Sequence, residues 1–330
     1  MRTLTALLLL AMAPVMTLVW NERKSMPRPE AGGAAGFLDG ELVIAGGAAW
    51  DGGTKVWLKD VQIYGPRQNA WRSGPALPVP LAYGPFVHSG DGLEIFGGTD
   101  GRQVHRESLK LDSSKSKWHA TGTLPADVLL GRAARIGDSV FILGGCPDVA
   151  DLAGCSDSVW RRDGGGAWRR VSSLPGGPLA LTAIAVARNR IYVFGGCAMP
   201  AAGPAALVNR SAAYSYDPQA NAWAMLRALP HANRGASAVA IDDRSILFFG
   251  GYTASPQEAA GKSAAFGFSA DVLAYDIATD TYKPATPMPV ALLGVEFVMS
   301  GRTLFGAGGE DRMRGRSGRL METRLAEPEP

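Results

Sequence analysis

Charge is scarce in this chain. Asp, Glu, Lys and Arg make up 19% of its 330 residues, and the formal net charge is +3. No lysine-rich tract occurs, so a nucleic-acid partner is not expected. Histidines number four (His88, His105, His119 and His231), too scattered to form a convincing copper set. Cysteines number three (Cys146, Cys155 and Cys197), and their spacing is not that of a zinc site. No metal is expected. Long apolar runs are missing as well, apart from Leu4 to Ala13 behind Arg2. That run is too short for a comfortable membrane span and reads as a secretory signal peptide. It ends without a cysteine, unlike a lipoprotein leader. The expectation is a leader over residues 1–17, a single unit over 18–330, and a periplasmic or secreted location without stable membrane insertion after the leader is removed. An exported chain permits disulfides. Cys146 and Cys155 bracket one short loop and are the preferred pair; Cys146 with Cys197 is the alternative.

Glycine and proline, by contrast, are plentiful, at 42 and 22 residues. Gly-Gly doublets end apolar runs at Gly46-Gly47, Gly97-Gly98, Gly144-Gly145, Gly195-Gly196, Gly250-Gly251 and Gly308-Gly309, 47 to 58 residues apart. This is close to the roughly fifty-residue kelch period. Two strand-like runs around a tight turn precede the doublets, as in Ala183–Ala187 and Ile191–Phe194. A second signal follows. An aromatic stands seven residues before a proline, itself preceded by Leu or Met, in Trp20/Pro27, Trp71/Pro78, Trp118/Pro125, Trp168/Pro175, Trp223/Pro230 and Tyr282/Pro289. Seven residues before several of these aromatics lies another hydrophobic residue: Tyr64, Leu111, Tyr216 and Tyr275. Each unit is therefore four strands, with the doublet closing the second and the aromatic on the outermost. Isolated four-stranded sheets expose edges and a face, and ring closure covers the faces. The expected fold is an all-β, six-bladed kelch-type β-propeller, with the aromatics packed between blades. The sixth unit lacks its own aromatic-to-proline strand after Gly294, so Trp20–Pro27 is expected to complete it and close the ring.

Fold does not decide function, so chemistry is sought in the loops after the doublets. The sixth is unlike the rest: Gly309-Glu310-Asp311-Arg312-Met313-Arg314-Gly315-Arg316-Ser317-Gly318-Arg319. Guanidinium groups suit carboxylate capture, and a poised Glu suits proton transfer. A solvated, charged loop would have the same composition.

The chain resembles the bacterial kelch sialic acid mutarotases, the N-acetylneuraminate epimerase family, in the frame Gly309-Glu310 followed by Arg316. Leu174-Pro175-Gly176-Gly177-Pro178 and Ile191-Tyr192-Val193-Phe194-Gly195-Gly196 are similar to another part of that family, in rotated blade order, like a cyclically permuted branch. The resemblance implies a sugar isomerase that interconverts α and β anomers of N-acetylneuraminate, a small-molecule sugar acid, without a cofactor. Glu310 would be the base and Arg316 the carboxylate holder, with Arg314, Arg132, Arg234 and His231 as weaker substrate-facing candidates. Two positions depart from the family pattern: Leu179 and Leu81 stand where Arg is common. The main alternative is a non-catalytic exported propeller that binds a glycan or a protein. A hydrolytic sialidase would carry repeated Ser-x-Asp-x-Gly-x-Thr-Trp boxes, and none occurs.

Overall fold

The computed structural model describes residues 16–149, 152–198 and 207–326. The apolar run of the expected leader lies outside them. Six four-stranded antiparallel sheets, numbered here as blades I to VI, carry strands a to d from the centre outward. Blade I runs Ala34–Leu38, Glu41–Ala45, Val61–Gly65 and Ala70–Ser73. Blade II runs Phe86–Ser89, Gly92–Thr99, Val104–Asp112 and Trp118–Thr123. Blade III runs Arg132–Ile136, Ser139–Leu143, Ser158–Asp163 and Arg169–Ser173. Blade IV runs Ala183–Ala187, Arg190–Phe194, Ala213–Asp217 and Ala222–Leu226. Blade V runs Ser237–Ala240, Ser245–Phe249, Val272–Asp276 and Thr281–Ala285. Blade VI takes Glu296–Ser300, Thr303–Ala307 and Leu320–Arg324 from the C-terminal part, and its outer strand is Trp20–Arg23, with Trp20 opposite Thr323. The six-bladed ring closed by an N-terminal strand is thus observed.

The spacing signals have direct geometric causes. The seven-residue aromatic pairs are cross-strand partners: Tyr64 faces Trp71, Leu111 faces Trp118, Tyr216 faces Trp223 and Tyr275 faces Tyr282. The hydroxyls of Tyr64, Tyr216 and Tyr275 donate to Asn69, Asn221 and Asp280, each in a left-handed turn position that Asn and Asp tolerate. The outer aromatics also tie blade to blade. Trp71 Nε1 donates to Lys24 O, Trp118 Nε1 to Pro75 O, and Trp223 Nε1 to Ser172 Oγ. The Leu or Met before each proline is buried, because the proline holds it extended while its side chain enters the core. Doublet glycines allow close approach. At Gly144, φ is 60° and a Cβ would stand 2.4 Å from the carbonyl oxygen of Leu179.

Candidate active site

Every blade builds one face of the ring alike. The residue after each doublet bridges to a residue just ahead of strand a in its own blade: Ala48 to Ala31, Thr99 to Ala82, Cys146 to Leu129, Cys197 to Ala180, Tyr252 to Arg234, and Glu310 to Leu293. Blade VI alone places a carboxylate at this repeated position.

One residue further in lies an inner ring. Gly32, Tyr83, Leu130, Leu181, Gly235 and Gly294 all hold left-handed backbone, with φ from 54° to 75°. The N–H of Tyr83, Leu130, Leu181, Gly235 and Gly294 each donates to the carbonyl of the preceding member, at 2.7 to 2.9 Å. Leu and Tyr seldom adopt this conformation, at a cost of about 1 kcal/mol each. The hydrogen bonds hold them there. Tyr83, Leu130 and Leu181 consequently line a cavity of about 160 Å³ at the mouth of the central tunnel, together with Glu310, Arg132 and Glu296. Below it the tunnel widens to a cavity of about 370 Å³ among the a strands. Arg132, Phe86 and Glu296 border both spaces.

Glu310 Oε1 lies 3.1 Å from Arg316 Nη1, and its side chain is 22% exposed. Burial raises the Glu310 carboxyl above the ordinary range, while the charges of Arg316 and Lys55 pull it back. A partly exposed carboxylate with a raised affinity for protons can act as a general base. Arg316 itself is only 5% exposed. Its Nε donates to Ala48 O at 2.8 Å and its Nη1 to Gly315 O at 2.7 Å, so it fastens the Glu310 loop to blade I.

The other sequence-derived candidates divide. Arg314 is exposed in the same loop, its guanidinium carbon 5.9 Å from the centre of the Trp50 ring. Arg132 sits at the floor of the mouth, donating to Thr182 O and paired with Glu296. Arg234 lies over Tyr252 at 4.3 Å and donates to Asn209 Oδ1. His231 is exposed on the turn before strand a of blade V. Among the described residues, the mouth cavity is lined by neither Arg234 nor His231. Leu81 and Leu179 are buried between blades, and their carbonyls accept the N–H groups of Gly47 and Gly145. In this chain both positions serve packing. Cys146 and Cys155 form a disulfide, and Cys197 is a buried free thiol in the same apolar cluster.

Three site residues escaped the sequence reading. Lys55 stands on a hairpin, Ala48–Asp51 with Thr54–Trp57, inserted between strands b and c of blade I. Its Nζ is 4.8 Å from the centre of the Tyr83 ring and 5.4 Å from that of Trp57. The turn signal Asp51-Gly52-Gly53-Thr54 marks this hairpin, but not where it folds. Glu296 begins an inner strand, where nothing local sets it apart. Glu30, three residues after Pro27, is buried: its Oε2 accepts the Gly33 N–H at 2.9 Å and its carbonyl accepts the Gly309 N–H, next to Glu310. Burial pushes its carboxyl up to about 8.

Comparison with known proteins agrees with this architecture. The model of the N-acetylneuraminate epimerase family matches residues 159–259. An N-acetylneuraminate epimerase from Vibrio cholerae is 28% identical over 134 residues, 39% of this chain and 33% of that protein. One from Haemophilus influenzae is 26% identical over 215 residues, 57% of this chain and 54% of its own length. Kelch-like protein 25 from Xenopus tropicalis is 23% identical over 222 residues, 64% of this chain and 35% of its own. The matches thus span about a third to a half of these relatives. The chain is a kelch-type propeller whose similarity is to the N-acetylneuraminate epimerase family.

Proposed function

We propose that this protein is an exported sugar isomerase of the mutarotase type, acting in the periplasm or outside the cell on the anomers of N-acetylneuraminate. One observation carries the reading: a single blade places a carboxylate, Glu310, at the repeated position around the tunnel mouth, largely buried and paired with Arg316. The names of two similar proteins supply the sugar.

In the proposed reaction Glu310 accepts the proton of the anomeric hydroxyl. The bond between the anomeric carbon and the ring oxygen breaks, and the ring oxygen takes a proton from a second donor or from water. The open-chain ketone turns its other face, the ring hydroxyl adds back as its proton returns to that donor or to water, and Glu310 returns its proton to the new anomeric oxygen. Protons balance over the cycle. Acid–base assistance of about 10²–10⁴-fold is enough to outpace a reaction that already proceeds in water.

Proton NMR of freshly dissolved α-N-acetylneuraminate tests the proposal. Accelerated approach to the β anomer, absent in Glu310→Ala, is the expected result; an unchanged spontaneous rate with wild type overturns it. The similarity to kelch-like protein 25 favours a second reading, a binding propeller, in which loss of Glu310 has no consequence for rate.

A further inference from the structure

An anionic substrate at this mouth meets a difficulty. Its carboxylate enters beside Glu310 and above Glu296, and like charges at close range repel unless a cation intervenes. Three arginines around the mouth are already engaged, and a fourth, the exposed Arg314, lies by the Trp50 ring, which does not line the cavity. Arg316 holds Ala48 O, Gly315 O and Glu310; Arg132 holds Thr182 O and Glu296. Arg234 is turned to Asn209 and Tyr252.

Lys55 differs. It makes no ion pair among the described residues, and its ammonium rests over the Tyr83 and Trp57 rings. Ring faces attract a cation without consuming its hydrogen-bond donors, so the three N–H groups stay available to an acceptor. Tyr83 lines the mouth cavity itself, and the charge of Lys55 is felt at Glu310. The hairpin that carries Lys55 is anchored at both sides of the site. Arg316 binds its Ala48 carbonyl, and the Trp57 ring packs against the backbone of Gly101 in blade II.

We propose that Lys55 is the specificity-determining cation of this mouth, donating to the carboxylate of an acidic sugar while Glu310 works at the neighbouring anomeric centre; this rests on the mutarotase reading of the same site. The sugar carboxylate displaces no existing ion pair when it binds there. Its charge is balanced by Lys55, and Arg316 remains the partner of Glu310.

The test compares N-acetylneuraminate with its uncharged methyl ester on wild type, Lys55→Met, Lys55→Arg and Glu310→Ala. Equilibrium binding is followed by indole fluorescence, since Trp57 adjoins Lys55, and anomer exchange by NMR. Lys55→Met should weaken binding of the acid by about 10- to 100-fold, the range for a charge-assisted contact, and leave binding of the ester unchanged. Lys55→Arg should restore most of the loss. On the pH plateau where Glu310 is ionised in both proteins, the effect should fall on KM, with kcat nearly kept. Equal losses for acid and ester, no loss for either, or failure of wild type to bind the acid would each overturn the proposal. If wild type and Glu310→Ala bind the acid equally but neither speeds exchange, the mutarotase reading fails. The acid-to-ester ratio still decides the role of Lys55.

Discussion

Arg132 reaches across the tunnel to Glu296 on the opposite blade, Nη1 to Oε1 at 2.8 Å. The a strands of blades III and VI pack chiefly on the a strands of their own two neighbours. This ion pair therefore joins the two halves of the ring at the level where the mouth meets the tunnel. Both side chains are less than one-fifth exposed. Removing one partner leaves the other charge poorly solvated. Arg132→Met or Glu296→Met should each cost roughly 2–4 kcal/mol, somewhat less than a fully buried pair. The double variant Arg132→Met/Glu296→Met should recover most of that loss. Urea midpoints of the four proteins, treated as a double-mutant cycle, measure the coupling.

Replacing Glu310 by Gln separates chemistry from packing. The backbone bonds of this residue to Leu293 do not depend on its side chain, so the loop keeps its place. Anomer exchange should fall by about 10²–10⁴-fold. The unfolding midpoint should stay level or rise, because burial penalises this carboxylate by more than the attraction of Arg316 returns, and the Gln oxygen can still accept from Arg316.

The acid limb of the pH–rate profile should move in a known direction. Burial raises the Glu310 carboxyl, and Arg316 is the first of the charges that lower it. In Arg316→Met that counterweight is gone, so Glu310 ionises only at higher pH. The acid limb of kcat/KM should therefore shift upward relative to wild type. An unmoved limb would show that another group titrates.

Glu30 should make stability depend on pH. Its carboxyl titrates near 8 in the folded protein, against an ordinary value of 4.5. The folded state thus holds a proton that the unfolded chain releases above about 4.5. Stability from this group is complete below that pH and drains away as pH rises towards about 8. Glu30→Gln should flatten that decline, as read from urea midpoints across the same range.

The N-terminal end of the folded unit offers a further check. Leu18 is buried in the core between blades V and VI, its N–H donates to Thr286 Oγ1, and the Thr286 N–H donates to Met16 O. If the protein is exported, these ties move the expected leader cleavage from after residue 17 to upstream of Met16, and the intact mass of protein recovered outside the cytoplasm reports it. A chain begun at Val19 should lose about 1.5–3 kcal/mol through Leu18 alone.

Much of this molecule was legible as a string. The doublets, the aromatic-to-proline spacing and the missing outer strand of the last unit stated the blade number and the closure, because each is a local requirement repeated six times. The loop that carries Glu310 and Arg316 stands out for the same reason, since it breaks the repeat; the frame of these two residues, six positions apart, comes from the family resemblance. What distant blades bring together could not be read in this way. Lys55 meets Tyr83 from an inserted hairpin, Arg132 meets Glu296 from 164 residues away, and Glu30 supports Gly309 only after the ring has closed. Local patterns record the rules of strands and turns, which act over a few residues. Which side chains face one another across a tunnel depends on the angle between blades, and that exists only once all six are packed.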